Sequence, residues 1–301
     1  MHVRGAFNHL LRPGLRRDFR DSYMGFEEEY SRILRTGTMD RAEVEVTTIS
    51  SLPRQVQMAE GESFTIVDAE LADKIVYSDT QFGLGISISQ ELMEDDQYNK
   101  ANQSAKWLAR STRLSQEHEV GDWLDDAFDG NTFTGFEGES LISASHELIG
   151  SDQTWSNQIA GNLQLGVTSL QAAFELGEQT VDHVNEPIPV RIDTLFINIA
   201  EEWMARQLTM NEHEPFTSDR NINATRSKRQ LSFVVSHYKD QTGSDWFARD
   251  TQMHDAHFLF RVRPQFPDWF EDKTRSAFFA SRQRFLVYHY DPRGWIGSNA
   301  A

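Results

Sequence analysis

The longest uninterrupted helical pattern in the chain covers residues 90–128 and contains no proline. Apolar side chains return mostly to one side of such a helix, as Leu108, Trp123 and Leu124 illustrate. Thirty helical residues would span about 45 Å at 1.5 Å each, which is much longer than the mean globular helix. We therefore predict one spine helix over about 90–128, and this limits the candidate folds.

A strand with one unusual face precedes this helix. In Phe82–Ser89 the large apolar residues occupy every second position, and Gly and Ser fill the alternate positions. Another surface can approach the bare face closely, or the strand stays exposed on a projecting ribbon. With a looser alternation at Phe64–Val67, the pattern predicts a long hairpin-like excursion over residues 55–89.

The first 35 residues carry an apolar stripe with helical spacing, which predicts an amphipathic helix in an N-terminal arm. The members of the stripe are Leu15, Phe19, Tyr23, Phe26, Tyr30 and Ile33. Pro13-Gly14 precedes the stripe and predicts the entry to the helix. Such a helix can dock on its own core or on a neighbouring copy of the chain.

The remainder of the chain alternates between helical and strand patterns, which makes the predicted fold class α+β. A helix is expected from Thr168, as its cap, to about Val184, where Pro187 and Pro189 follow. A second helix is expected at Ala200–Met210 and a polar loop at 211–229. The predicted strands are Thr194–Ile199, Leu231–Ser236, Trp246–Ala248, His257–Val262 and Ala277–Tyr290, with a turn at Asp291–Gly294.

Composition restricts the classes of function. The 301 residues are 39% hydrophobic, which suits a globular core, and the chain has no Cys for disulfides or thiolate metal sites. No apolar run approaches the 18 or so residues of a membrane span, so we expect a soluble protein with no membrane role. The net charge of −17 opposes a conventional DNA-binding module, because DNA affinity comes mainly from Lys and Arg.

The strongest metal signal is His118-Glu119-Val120-Gly121-Asp122, which matches the zinc-protease pattern H-E-x-x-H except for Asp in the last place. Gly121 weakens a helix by about 1 kcal/mol relative to Ala, and no third ligand is indicated. A charged, solvated helix face explains these residues better. A metal-dependent hydrolase using His118, Glu119 and Asp122 is therefore kept only as an alternative.

Other candidate sites are incomplete. His254 and His257 are expected at the start of a strand, where their imidazoles point to opposite faces and cannot share an ion. His146 follows Ser145, but no G-x-S-x-G elbow is present, and His146 is expected to be a hydrogen-bonded structural residue in a turn. Gly83-x-Gly85 lacks the third glycine of a dinucleotide loop. The cluster Arg12–Arg20 is expected to be an interface or a solvated face. We predict no catalytic residues, cofactor or metal.

The stretch Asp129–Asn157 resembles a motif near the middle of tailed-phage major capsid proteins. The matching positions are Gly138, Leu141, Ser145, His146, Leu148, Gly150, Trp155, Ser156 and Asn157. Other matching segments follow in order along the chain: Leu15 and Phe19, Leu52–Arg54, Phe82–Ile88, Glu94–Asp96, Asn221–Asn223, Asp245–Phe247 and Tyr290–Ser298. Taken together, the chain is similar to the Hong Kong 97-type capsid proteins, and most similar to the Mu-like major head subunit group.

This resemblance implies four parts. They are an N-terminal arm at 1–45, an E-loop at 55–89, a peripheral P-domain and an axial A-domain at 166–254. The P-domain comprises 46–54 and 90–165, with part of 255–301 returning to it. We expect the arm and the E-loop to be assembly devices outside the core, which neighbouring copies cover.

The implied function is a major capsid protein that assembles from hexamers and pentamers into an icosahedral head around the phage genome. Its implied partners are copies of itself, a portal, a separate scaffolding protein and decoration proteins. The shell would enclose double-stranded DNA without sequence-specific binding, in a virion assembled in the bacterial cytoplasm. An encapsulin-like cellular compartment is the main alternative. We also expect the inner wall to carry much of the negative charge, because such a wall repels packed DNA.

Overall fold

A computed structural model describes residues 4–91, 100–213 and 222–300 of the chain. The helices in these residues are α1 (Arg4–Gly25), α2 (Tyr30–Ile33), α3 (Lys100–Asp125), α4 (Val167–Glu178), α5 (Glu202–Met210) and α6 (Ala224–Lys228), with a short 3-10 helix at Ile199–Glu201. The strands are β1 (Arg35–Thr38), β2 (Glu43–Val46), β3 (Ile75–Ser78), β4 (Thr80–Ser89), β5 (His146–Leu148), β6 (Ser151–Trp155), β7 (Thr194–Ile197), β8 (Ser232–Val235), β9 (Trp246–Arg249), β10 (Ala256–Gln265), β11 (Asp268–Glu271), β12 (Ser276–His289) and β13 (Trp295–Ser298).

The chain folds into two compact units. The first unit comprises Met1–Glu43, Ser78–Val120 and Phe258–Val287. The second comprises Val44–Tyr77, Gly121–His257 and Tyr288–Ala301. Helices and strands are both present in each unit, which agrees with the predicted α+β class.

The first unit is built on a five-stranded sheet in the order β1-β10-β12-β11, with β4 also paired to β12. One face of this sheet is apolar, and it buries Ile88, Ala277 and Phe279 against Leu15 of α1 and Ala105 of α3. These contacts explain the second half of the alternation in β4, because Ile86 and Ile88 both pack in this cluster.

The strand over Phe82–Ser89 is confirmed, but it does not belong to the predicted excursion, which projects instead from the paired strands β2 and β3. β4 pairs antiparallel with β12, from Thr80 opposite Phe285 to Ser89 opposite Ser276. Phe64–Val67 is not a strand; residues 51–69 form an irregular loop closed at its base by the Ile49–Leu71 bridge. An isolated two-stranded ribbon is marginal in water, whereas β12 offers β4 a place in a packed sheet.

The arm helix also differs from the prediction. α1 begins at Arg4 and runs through Pro13, so Pro13-Gly14 is not its entry. Proline removes one backbone hydrogen bond, but here helix continues on both sides of it. The predicted stripe is divided by the turn at 26–29 between α1 and α2.

The apolar stripe of the arm is buried within the first unit. Phe19 packs with Leu108 and Ala109 of α3, and Tyr30 and Ile33 are also buried. The residues from Leu15 onward are therefore part of the core of this chain. The expectation that the whole arm lies outside the core is wrong for them.

The second unit contains a four-stranded sheet in the order β13-β9-β7-β8. β7 is parallel to β8 and antiparallel to β9, and β9 is antiparallel to β13. Its core buries side chains from both α4 and α5 against this sheet, including Leu170, Leu195, Leu208, Trp246 and Ile296. The predicted strands and the helix at Ala200–Met210 are confirmed to within a few residues.

Three boundaries in the second unit were predicted incorrectly. α4 ends at Glu178, well before the prolines, and its N-terminal cap is Gly166 rather than Thr168. The Ser169 hydroxyl accepts a hydrogen bond from the Gly166 amide at 2.9 Å, so a small residue suffices as the cap. The predicted loop at 211–229 contains α6, whose cap Asn223 accepts a hydrogen bond from the Thr225 amide at 3.1 Å.

The spine helix is confirmed over Lys100–Asp125, and Gln90 and Glu91 are helical as well. It ends three residues before the predicted boundary, because the Asp126 carboxylate caps the following turn by accepting hydrogen bonds from the amides of residues 131–133. Tyr98 and the segment Glu94–Asp96 lie outside the described residues, as does Asn221.

Candidate functional site

The central motif Asp129–Asn157 lies in the second unit and is held by a buried histidine. His146 is fully buried, and its two ring nitrogens lie 2.8 Å from Glu137 Oε1 and 3.0 Å from Asn157 Oδ1. Its ring stacks on Trp155, with centroids 4.8 Å apart. The predicted hydrogen-bonded structural role is confirmed, although His146 begins strand β5 and does not lie in a turn.

Asn157, the last residue of this motif, links it to the rest of the second unit. Its side-chain amide donates to the Leu141 carbonyl at 2.8 Å, and its Oδ1 accepts from the Ser143 amide at 2.9 Å. Its backbone carbonyl accepts from the Gly297 amide at 3.1 Å. One asparagine thus connects residues 141–143 of the motif, His146 and strand β13.

The C-terminal segment Tyr290–Ser298 is also structural. Trp295 is buried, and its ring meets Trp123 edge-on with centroids 5.4 Å apart. Gly297 has no room for a side chain, because a Cβ atom there would lie 2.9 Å from Ile142 Cγ1. The central motif and the segment Tyr290–Ser298 therefore meet in the core of the second unit.

The candidate metal residues of α3 lie on the helix surface. His118 and Asp122 are exposed, and Glu119 is half-buried. Among the described residues, no group of three His, Asp or Glu side chains is arranged to hold a metal ion. Gly121, whose low helix propensity argued against a metal site, lies against the backbone of Tyr238 and Lys239.

The second histidine pair is separated as predicted. His254 is buried, with its ring edge-on to Trp295 at 6.0 Å. His257 is half-buried and lies 2.7 Å from Asp255 Oδ1 through its Nε2. The two imidazoles have different neighbours: the Trp295 ring for His254, and the Asp255 carboxylate and the Tyr288 ring for His257.

Several buried ionisable groups were missed in the sequence because only the fold buries them. Burial lowers the pKa of His289 to about 3, and burial together with Arg293 lowers the pKa of His183 to about 4. Burial raises the pKa of Glu117 and of Glu201 to about 7. Each has protein partners: for example, the Trp123 indole N–H donates to His289 Nδ1 at 3.1 Å.

The most exposed apolar side chains of the second unit lie on the loop 51–69. Phe64 and Ile66 are 84% and 89% exposed, and Leu52 and Val56 also face solvent. The loop is strongly acidic and has no Lys or Arg between Arg54 and Lys74. The alternation at Phe64–Val67 predicted a strand in an excursion and did not indicate that these two side chains would face solvent.

A second apolar surface lies on the helix α5 and its neighbours. Trp203 is 76% exposed, and Ile199 and Met210 lie on the same side of the helical segment. Ile222 is also exposed. The opposite side of α5 packs into the core through Ala205 and Leu208. Large exposed apolar patches of this kind mark interaction sites.

No helix among the described residues has the length and apolar character to cross a membrane.

Comparison with protein-family profiles finds no match, and comparison with curated protein sequences finds none. Comparison with solved structures finds close likeness in fold. The capsid of the cyanophage P-SCSP1u is 12% identical, with a TM-score of 0.57 over 91% of this chain and 88% of its own. The capsid of an empty GTA particle is 10% identical, with a TM-score of 0.58 over 92% of each chain.

A virus-like particle from Pyrococcus furiosus is 8% identical to this chain, with a TM-score of 0.53 over 94% of this chain and 97% of its own. In all three comparisons the likeness covers about nine-tenths or more of each chain. The chain therefore has the Hong Kong 97-type capsid fold.

Proposed function

We propose that this protein is a major capsid protein that assembles from hexamers and pentamers into an icosahedral shell enclosing double-stranded DNA. The observation that carries the proposal is the likeness to capsid structures over about nine-tenths of both chains. A match of that extent leaves little of the chain for an added domain. The buried polar groups described above serve packing, so we propose a structural protein without catalytic activity.

The exposed apolar surfaces support a protein that works as an assembly. Phe64, Ile66 and Trp203 would each place a large apolar side chain in water in an isolated subunit. Burial between copies would remove this surface from water at about 25 cal/mol per Å². Repeated around a closed shell, such contacts add to a large collective stability.

The parts of the subunit are proposed as the resemblance implies. The N-terminal arm is 1–45, the E-loop is 55–89 and the A-domain is 166–254, and the P-domain takes in 46–54, 90–165 and part of 255–301. Membership of the Mu-like group, a separate scaffolding protein, a portal and decoration proteins belong to the same proposal. So do assembly in the bacterial cytoplasm, location in the virion and an acidic inner wall.

A cellular compartment of the encapsulin kind is the second candidate, and the likeness to the virus-like particle from Pyrococcus furiosus favours it. Both candidates predict shells, and their contents differ. Double-stranded DNA inside particles from producing cells supports a phage head, whereas an enclosed protein supports a compartment.

Negative-stain electron microscopy of the purified protein tests the proposal. We expect closed shells or capsomer-like rings that disappear when Phe64 and Ile66 are both replaced by Ser, since these side chains are exposed and their loss spares the subunit core. Replacing the exposed Leu163 by Ser is the matched control. A wild-type protein that remains monomeric at high concentration, with and without co-expressed scaffolding protein, would contradict the proposal.

A further inference from the structure

Three polar side chains meet at one end of the sheet in the second unit. Asn198 follows β7, Lys239 lies in the loop between β8 and β9, and Asp245 immediately precedes β9. β7 is parallel to β8 and antiparallel to β9, so the chain leaves the first two strands and enters the third at the same end of the sheet. The topology thus brings together residues that are up to 47 positions apart in the sequence.

The amine of Lys239 lies against the side-chain amide of Asn198. Lys239 Nζ donates a hydrogen bond to Asn198 Oδ1 at 3.2 Å, and the electrophilic carbon Cγ is bonded to that oxygen. The amide is held on its other side, because Asn198 Nδ2 donates to the Gly243 carbonyl at 2.5 Å. An amine and a carboxamide are therefore fixed next to each other in the folded chain, which greatly raises their effective concentration.

One carboxylate contacts both groups. Asp245 Oδ2 pairs with Lys239 Nζ, and Asp245 Oδ1 lies 3.4 Å from Asn198 Nδ2. The carboxylate of Asp125 is farther from the amine, at 3.9 Å from Nζ. Since Asp245 reaches both nitrogens, it can take a proton from the amine and pass it to the amide nitrogen.

The three side chains are shielded from water. The side chains of Lys239 and Asp245 are 3% and 15% exposed, and Asn198 is completely buried. The Phe247 ring lies 5.9 Å from Nζ. Burying an ion pair costs free energy because both ions lose their water. Conversion of the ammonium into a neutral amide would remove one of these charges, and few water molecules can compete with Nζ as the nucleophile.

We propose that Lys239 and Asn198 form an isopeptide bond within the chain, with Asp245 transferring the protons. The bond would join the end of β7 to the loop between β8 and β9. It forms once in each chain and needs no other copy, so this inference goes beyond the proposed function and does not depend on it.

The reaction needs no added oxidant or cofactor. Asp245 takes a proton from the ammonium, and the freed electron pair of Nζ forms a bond to Asn198 Cγ. Asp245 passes that proton to Nδ2, the Cγ–Nδ2 bond breaks as the carbonyl re-forms, and the departing ammonia takes a second proton from Nζ. An ammonium and a carboxamide thus become a secondary amide and an ammonium ion, so that atoms and charge balance.

The intact mass of the purified wild-type subunit tests for the bond. We expect a mass lower than that of the unmodified sequence by one ammonia molecule, whereas Lys239→Met should have the full mass of its own sequence. A wild-type chain with no such deficit would overturn the proposal. The wild-type measurement is decisive by itself, even where a substitution prevents folding.

Digestion with trypsin locates the bond. Lys239 should resist cleavage, and the peptide 230–249 should be joined to the peptide 192–206 as one branched species. Fragmentation should place the branch at Lys239 and Asn198. A mass deficit that maps to other residues, or recovery of separate peptides cleaved after Lys239, would refute the assignment.

The role of Asp245 is tested by the rate at which the bond forms after synthesis, followed by pulse-labelling and mass spectrometry. Asp245→Asn should slow bond formation about a hundredfold or more, because the side chain can no longer accept a proton. Asp240→Asn is the matched control, since Asp240 is an exposed carboxylate of the same loop whose side chain contacts Thr242. It should form the bond at the wild-type rate. Circular dichroism verifies that both variants fold, and equal slowing in the two would show that Asp245 does not transfer the protons.

Discussion

Gly121 of α3 lies directly against the backbone of Tyr238. A Cβ atom at position 121 would lie 2.7 Å from the carbonyl carbon of Tyr238 and 3.1 Å from the Lys239 amide nitrogen. One turn further along the helix, Asp125 accepts a hydrogen bond from the Asp240 amide at 3.0 Å. The spine helix and this loop are therefore joined at a point where only glycine fits.

Replacing Gly121 with Ala should destabilise the subunit although Ala favours helix. Overpacking against backbone costs about 1–3 kcal/mol, which outweighs the gain of about 1 kcal/mol in helix propensity. Urea unfolding of the unassembled subunit measures the difference. Gly14→Ala in α1 is the control, because no atom lies within 4 Å of its Cβ position, and it should be neutral or stabilising. Equal midpoints for the two variants would contradict the contact.

Replacing Asn157 with Ala should destabilise the second unit by about 3 kcal/mol, because the His146 ring, the Ser143 amide and the Leu141 carbonyl lose buried partners. Chemical denaturation with tryptophan fluorescence checks this, since Trp155 stacks on His146. The exposed Gln153→Ala on β6 should change stability by less than about 0.5 kcal/mol. A neutral Asn157 variant would show that the network does not hold the motif.

The docking of α2 on α3 should weaken as pH rises. The Glu117 carboxylate accepts hydrogen bonds from the amides of Glu29 and Tyr30 at 3.2 and 2.9 Å, and burial raises its pKa from 4.5 to about 7. The folded state then holds the proton more tightly than the unfolded state. The stabilisation is fully present below about pH 4.5 and is lost as the pH rises to about 7, with a size of about 3 kcal/mol. Glu28 and Arg113 are the charged groups facing this site, together with Glu29.

Hydrogen exchange at the amides of Glu29 and Tyr30 measures this effect locally. A local measurement is needed because His183 and His289 oppose it in the second unit: their lowered pKa values remove stability as pH falls below about 6.5. After correction for the intrinsic exchange rate, protection of the two amides should fall between pH 5 and pH 7.5. Glu117→Gln should abolish that dependence. A flat wild-type profile would refute the raised pKa.

Truncation should now distinguish the arm from the loop. Removing residues 1–35 deletes Leu15, Phe19, Tyr30 and Ile33, which are buried in the first unit, so we expect the subunit to unfold or aggregate. Replacing residues 53–68 with a tight turn removes an exposed loop and should leave a folded subunit that forms no shells. Circular dichroism and size-exclusion chromatography report both results. A folded protein lacking residues 1–35 would show that the arm is an assembly device after all.

Regular elements were predictable where a local pattern repeats. The spine helix and β12 were found because their periodicity is long. The partner of β4 was not predictable, because the register with β12 joins segments that are far apart in sequence and depends on Ala277 and Phe279 facing Ile88.

The candidate surfaces were harder to predict than the elements. A hydrogen-bonded structural role was predicted for His146, but its burial and its partner Glu137 were not. Phe64 and Ile66 are apolar, so burial would be expected for them. Their exposure is evident only from the structure, because it depends on which parts of the chain pack against the loop. Phe19 and Arg263 line the same groove of the first unit. Because these two residues are far apart in the sequence, no local sequence pattern predicts the groove.

The packing of Trp123 on Trp295 has a consequence for synthesis. During translation at about 5–20 residues per second, Trp123 is made roughly 10–30 s before Trp295. Strand β9 likewise lacks its pairing partner until β13 has been synthesised. The second unit therefore cannot close on the ribosome until residues 295–298 have left the exit tunnel. Until then its tryptophan side chains are open to chaperones, and neighbouring nascent chains cannot yet join as finished subunits.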